Sequence, residues 1–186
     1  MSKIVLFASG EGTNAAAIIR HFQEKSSVAV VAVFCNNPQA GVLQRAADFG
    51  VPTVLFDRQA LEEDKVLLQL QELAPDWIVL AGFLWKFPET ILEVFPNVIN
   101  IHPALLPKFG GKGMYGKHVH EAVLAQGEAV TGITIHYVNA HYDEGAIIAQ
   151  FETSIADCTT AASIAAKVHA LEQEHFPKVI DQLLNS

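Results

Sequence analysis

Apolar residues along this chain come in short blocks that alternate between two textures. Lys3-Ile4-Val5-Leu6-Phe7 is a β-type run that stops in Ser9-Gly10-Glu11-Gly12-Thr13-Asn14, and Ala15 to Phe22 follows with helical composition. Val28 to Phe34 is valine-rich and alternates too little for a half-exposed strand, as expected when helices cover both faces of a parallel sheet. Gln39 to Phe49 reads as a helix closed by Gly50, Thr53 to Phe56 as a short strand, and Leu61 to Leu73 as a charged helix ending before Pro75. Trp77 to Ala81 is a fourth strand, and Ile91 to Phe95 a short helix before the strand Val98-Ile99-Asn100. Such alternation predicts an α/β class, a single doubly wound Rossmann-like domain over 1–186 with about seven mostly parallel strands and helices on both faces.

The second half reads differently. The glycine-rich stretch around Phe109 to Gly116 precedes a helix near His120 to Ala125. Val130 to Val138 and Ala146 to Phe151 then predict an antiparallel hairpin or edge pair. Thr159 or Thr160 is placed to cap a last helix whose Ile164, Val168, Leu171, Val179 and Leu183 form one apolar face, with Pro177 as a kink point. Glycines in the 109–116 stretch permit it to move over a substrate.

Composition narrows the function classes. No apolar run reaches the roughly 20 residues of a membrane span, and the N-terminus has no signal-peptide pattern, so a cytoplasmic location is expected. Cys35 and Cys158 have no metal or redox spacing and are expected to be reduced structural thiols. A formal charge of −8 disfavours nonspecific nucleic-acid binding and leaves small molecules as the expected partners.

Candidate chemistry sits at two places. Gly10-Glu11-Gly12-Thr13-Asn14 lies between a strand and its helix, where free backbone N–H groups and the helix dipole suit a phosphate; a plain turn is the alternative. A dinucleotide site is not supported, because Cys35-Asn36-Asn37 supplies no carboxylate for a ribose. On the fifth strand Asn100 and His102 are two residues apart, hence on one face, at the C-terminal end where open α/β sheets bind ligands. Asp143, in Tyr142-Asp143-Glu144-Gly145, is either a turn aspartate or a partner that orients the His102 imidazole. Amide, imidazole and carboxylate together suit attack of an amine on a carbonyl. Asn100 and His102 would steady the oxyanion, and Asp143 would help to move the proton. His118, His120, His136 and His141 crowd this half, but His118 and His120 fall on opposite sides of one helix, which removes the obvious chelating pair, and a metal is not expected.

Five ordered motifs resemble the phosphoribosylglycinamide formyltransferase family, also called glycinamide ribonucleotide transformylase. They are Gly10 to Asn14, Leu80 to Phe83, Asn100 to Phe109, Gly113 to Val123, and the run from Gly132 to Val138 with Asp143 and Gly145 behind it. The resemblance covers nearly the whole chain. It implies transfer of a formyl group from the co-substrate 10-formyltetrahydrofolate to glycinamide ribonucleotide in de novo purine (IMP) synthesis, by a monomer or homodimer without a metal. It places the catalytic triad on Asn100, His102 and Asp143, and the ribonucleotide site on Gly12, Thr13, Asn14 and Glu172. A solvated helix glutamate is the alternative for Glu172. The folate side falls on Asn100 and on Leu84, Trp85, Lys86 and Phe87, where many members carry Met-Arg-Ile-Leu. Its folate-contacting arginine falls on Arg58, for which a solvent-facing arginine is the competing reading. The related formyltetrahydrofolate deformylase, which uses water as acceptor, and a noncatalytic folate- or nucleotide-binding module are the alternative functions. Methionyl-tRNA formyltransferase, a further relative, carries an RNA-binding C-terminal barrel.

Overall fold

The computed structural model describes residues 1–25 and 27–185. Among the described residues seven strands and seven helices follow in the order β1 Ser2–Ala8, α1 Thr13–Gln23, β2 Val28–Cys35, α2 Gly41–Asp48, β3 Thr53–Leu55, α3 Arg58–Glu62, α4 Lys65–Leu73, β4 Trp77–Leu80, α5 Glu89–Val94, β5 Val98–His102, α6 Lys117–Ala125, β6 Val130–Tyr137, β7 Ile147–Ser154 and α7 Ala161–Leu184. The strands lie in one sheet in the order β3-β2-β1-β4-β5-β6-β7. Pairings from β3 through β5 are parallel and β6–β7 is antiparallel, so the expected α/β class, the mostly parallel sheet and the late hairpin are present. Contacts divide the chain between Asn100 and Ile101 into two compact units.

In the first unit the chain starts on β1, crosses to β2 and β3 on one side, then returns to the other side of β1 for β4. Right-handed crossovers, the nearly universal hand, put helices on both faces of such a sheet. Reversal at β1 puts the topological switch point at the carboxyl ends of β1 and β4, where doubly wound sheets take ligands. The floor below is aromatic. Phe7 at the end of β1 stacks on Phe34 at 4.9 Å between ring centres and meets Phe56, Phe83 and Phe87 edge-on at 5.8, 5.4 and 5.2 Å. Ile4, Val5, Leu6 and Phe7 are fully buried in succession, as a central strand covered on both faces requires.

One expected helix is two. The segment read as Leu61 to Leu73 breaks at Asp64, which adopts a left-handed φ of 57° between α3 and α4. Asp57 starts α3 early by accepting the Ala60 N–H at 2.7 Å on Oδ1. Glu62, Glu63 and Asp64 then stack negative charge on the carbonyl end of that helix, which opposes its dipole, and aspartate tolerates the left-handed turn. Burial also explains Cys35: the thiol is fully enclosed on β2, and desolvation pushes its pKa up against the opposing hydrogen bond to the Asn37 carbonyl.

In the second unit α7 packs on α6, β6 and β7. Its Ile164, Val168, Phe176, Val179 and Ile180 are buried, as are Ile133 and Ile135 of β6 and Val119 and Val123 of α6. The helix is continuous through Pro177. Thr160, one of the two expected caps, is the one used: its Oγ1 accepts the Ser163 N–H at 3.1 Å while Ser163 Oγ lies 3.3 Å from the Thr160 N–H, a reciprocal capping box. Among the described residues no helix is long and apolar enough to cross a membrane. Thr160→Ala should therefore lower stability by about 1 kcal/mol, measured as a shift of the urea midpoint at unchanged slope.

Candidate active site

The glycine loop is built as an anion site would be. Gly12 caps α1 at φ 74° with no side-chain cap, and the first helical bond runs from the Ala16 N–H to the Gly12 carbonyl, so the N–H groups of the first turn lie outside the helical ladder. Only glycine fits there, because a Cβ would fall 2.4 Å from the Val42 side chain. Thr13 and Asn14 are the first two helical residues. Ser9, just ahead, knits this loop to the one after β4. Its N–H donates to the Gly82 carbonyl at 3.0 Å, and its Oγ accepts the Leu84 N–H at 3.1 Å.

The segment after β4 divides by exposure. Leu84 and Lys86 face out, Trp85 is half-buried, and Phe87 is part of the aromatic floor, so Phe87 is available to a ligand only through its main chain. Arg58 begins α3 and lays its guanidinium over the Trp85 ring, 4.6 Å from the centre, while Glu62 approaches it at 3.8 Å. Lys86 pairs with Glu89 at 2.9 Å. Asn100, half-buried on β5, is on the same side of the strand as His102 by the two-residue period.

The second unit brings His102 and Asp143 together. His102 is almost fully buried, with Nδ1 3.5 Å from Asp143 Oδ2 and Nε2 2.7 Å from the Phe109 carbonyl oxygen. A neutral imidazole has one N–H and cannot satisfy both acceptors; the cation can. Burial opposes the cation and pushes the His102 pKa below its ordinary value, with His136 pushing the same way, while Asp143 and the Phe109 carbonyl pull it back. The ring is therefore poised to take a proton when negative charge develops beside it. For Asp143, burial is the largest single influence and acts upward. His136, His102 and the Gly111 N–H, which bonds Oδ2 at 2.9 Å, together outweigh it and hold the carboxyl below its ordinary value.

Local folding explains this placement. Thr134 of β6 donates its Oγ1–H to the Ala104 carbonyl at 2.7 Å and accepts the Leu106 N–H at 3.0 Å, pinning the chain just after His102 and so the approach to Phe109. Gln150 of β7 adds a bond to the Leu106 carbonyl at 3.0 Å. Asp143 adopts φ 57° on its loop. Two residues on, Gly145 passes so close to β6 that a Cβ would sit 1.6 Å from the Tyr137 carbonyl oxygen. Of the residues expected at the site, Glu172 is 6% exposed on α7, which removes the solvated-glutamate reading. Sequence reasoning passed over Ser9, the main chain of Phe109 and Gly111, and His136 as a neighbour of Asp143. Only the last left a trace, as one of the histidines that crowd the second half of the sequence.

The family described as Formyl transferase matches residues 2–180, across both units. The chain belongs to the formyl transferase family. A member from Bacillus subtilis (strain 168), named phosphoribosylglycinamide formyltransferase, is 37% identical over 191 residues, covering 99% of this chain and 95% of its own. The chloroplastic phosphoribosylglycinamide formyltransferase of Vigna unguiculata is also 37% identical over 97% of this chain, which spans 60% of that longer protein. A crystal structure of phosphoribosylglycinamide formyltransferase from Bacillus Halodurans matches with a TM-score of 0.89 at 34% identity, covering 98% of this chain and 95% of the other.

Among these formyltransferase residues another histidine titrates with the fold. His120 is buried on α6 and, among the described residues, its Nδ1 has no hydrogen-bond partner. Burial, then the charges of His169 and His102, push its pKa from 6.5 down to about 4. The unfolded chain takes up a proton at His120 on acidification before the folded chain does. Stability should thus fall as pH drops from about 6.5 to about 4, by up to roughly 3 kcal/mol, with no further loss from this group below. Urea midpoints across that window should show the slope, and His120→Phe should flatten it.

Proposed function

We propose that this chain, acting as a single formyltransferase domain over 1–186, transfers the formyl group of 10-formyltetrahydrofolate to the amino group of glycinamide ribonucleotide. The observation that carries the reading is the buried His102–Asp143 pair, 3.5 Å apart, in a chain related almost end to end to an enzyme named for this reaction. The glycine loop, with Gly12, Thr13 and Asn14, is assigned the ribonucleotide phosphate, and buried Glu172 a further contact with that substrate. Folate is assigned to the 84–87 segment and Asn100, with Arg58 on its Trp85 platform as a further contact.

In the reaction the substrate amine attacks the formyl carbon, forming a new C–N bond and moving the carbonyl electrons onto oxygen. The side-chain amide of Asn100 and the His102 imidazolium stabilise that oxyanion, whose charge supplies what burial withholds from the imidazole in the resting state. His102 frees Nε2 for this by giving up the Phe109 carbonyl, which belongs to the glycine-rich 109–116 stretch. The attacking nitrogen becomes cationic and loses a proton with the help of Asp143, held as the carboxylate by its neighbours. Collapse breaks the bond to N10 of the folate, which leaves with a proton. The reading carries with it a role in purine synthesis, small-molecule partners, a cytoplasmic location, a monomer or homodimer, and no part for metal, membrane or nucleic acid.

Incubation with 10-formyltetrahydrofolate, with and without glycinamide ribonucleotide, tests the assignment. Tetrahydrofolate should form only when the nucleotide is present; equal release in its absence would instead identify a hydrolase. His102→Asn should reduce turnover by on the order of a thousandfold or more while leaving the unfolding temperature near that of the parent. Retained turnover in that variant defeats the mechanism.

A further inference from the structure

Asp143 has two carboxylate oxygens, and they meet different histidines. Oδ2 faces His102 and takes the Gly111 N–H, whereas Oδ1 lies 3.6 Å from Nε2 of His136, whose side chain is only 3% exposed. His136 does not reach this position by default. The β6–β7 register shifts between Ile135, opposite Ala149, and His136, opposite Ile147. Irregularities of this kind re-aim side chains beside functional sites. The ring is then locked by its Nδ1–H, which donates to the Tyr137 carbonyl at 2.8 Å, and with Asp143 Oδ1 facing Nε2 both ring nitrogens meet acceptors, an arrangement that the imidazolium satisfies. Gly145 packs on that same carbonyl, and a Cβ there would also come within 3.5 Å of His136 Nδ1. Strand, histidine and the loop carrying Asp143 are thus joined at one oxygen atom.

We propose that His136 is a positioning residue for formyl transfer: it holds Asp143 by Oδ1 and so fixes the direction in which Oδ2 meets the His102 ring. Removing it leaves a buried carboxylate free to rotate away from His102, which would then lose both the partner that orients it and the one that favours its cation. The titratable groups acting on Asp143 are His136 of β6 and His102 of β5, with His120 of α6 in turn sensing His102. His136, facing Oδ1, favours the ionised carboxyl, so its loss should raise the pH at which Asp143 titrates.

The kinetic part of the test rests on the formyl-transfer reading, so a second measurement is made without turnover. In the full chain, His136→Phe should lower kcat by about tenfold or more, the usual cost of losing an outer hydrogen bond to a reacting group. KM for both substrates should stay within about twofold, and the acid limb of the kcat profile should move to higher pH. His136→Gln, which restores an N–H donor near the Nε2 position, should recover most of the loss. Carbon-13 labelling of aspartate should show the Asp143 carboxyl titrating at higher pH in the Phe variant than in the parent. An unchanged kcat overturns the proposal, as does a loss carried by KM or shared equally by the Gln variant. If the parent protein transfers no formyl group, the functional reading fails on its own. The Asp143 titration then decides for His136, and a carboxyl unmoved by His136→Phe overturns its role.

Discussion

A carboxylate with a side chain only 12% exposed must find its hydrogen-bond donors inside the protein, and Asp143 finds all of those described here in the second unit. That demand organises the unit. Gly145 gives up a side chain so that the loop can lie against Tyr137, and β6 and β7 slip register at His136. Thr134 and Gln150 tie down the residues that follow His102, so that the chain turns back with the Phe109 carbonyl and the Gly111 N–H in reach of the pair. None of these contacts is strong alone. Together they leave Asp143 and His102 little freedom except to exchange charge.

Burial sets the scale of that exchange. Exposed pairs such as Lys117–Glu121 at 3.6 Å or Lys86–Glu89 at 2.9 Å contribute about 0–1 kcal/mol, since water screens them and two long side chains must be ordered. Removing one partner of a buried pair typically costs about 3–5 kcal/mol, because the charge left behind has no solvent. Asp143 escapes that cost on the loss of His102, because His136 and the Gly111 N–H still face its carboxylate. Desolvation keeps the His102 imidazole neutral at rest, and its neighbouring acceptors make the cation accessible when a negative charge arises nearby.

Legibility in the sequence tracked the range over which each feature is determined. The strand period put Asn100 and His102 on one side of β5, and valine-rich blocks marked the buried parallel strands, because both signals are local. Asp143 was visible as a candidate but not as a resident of a histidine-lined pocket, since its partners come from β5 and β6. Main-chain donors and acceptors at Phe109 and Gly111 have no residue-type signature at all. His136 was weighed as a metal ligand because histidines cluster in that half, while its distance to Asp143 depends on a register slip that no periodicity announces. The break at Asp64 was missed because apolar spacing runs through it and only the Asp57 cap and the acidic terminus oppose continuation. Glu172 carried no local signal and was placed at the ribonucleotide site by the resemblance alone, while its burial depends on how α7 packs.

Ser9 has a thermodynamic consequence. Its N–H, hydroxyl and carbonyl are bonded to Gly82, to Leu84 and to the Asn37 side chain, so the loops after β1, β2 and β4 share one ordered residue. Fixing a flexible backbone costs about 1–2 kcal/mol per residue, and here that entropy is lost when the protein folds, not when it meets a ligand. Molecules that bind these loops therefore encounter a rigid rim, and more of their contact energy appears as affinity.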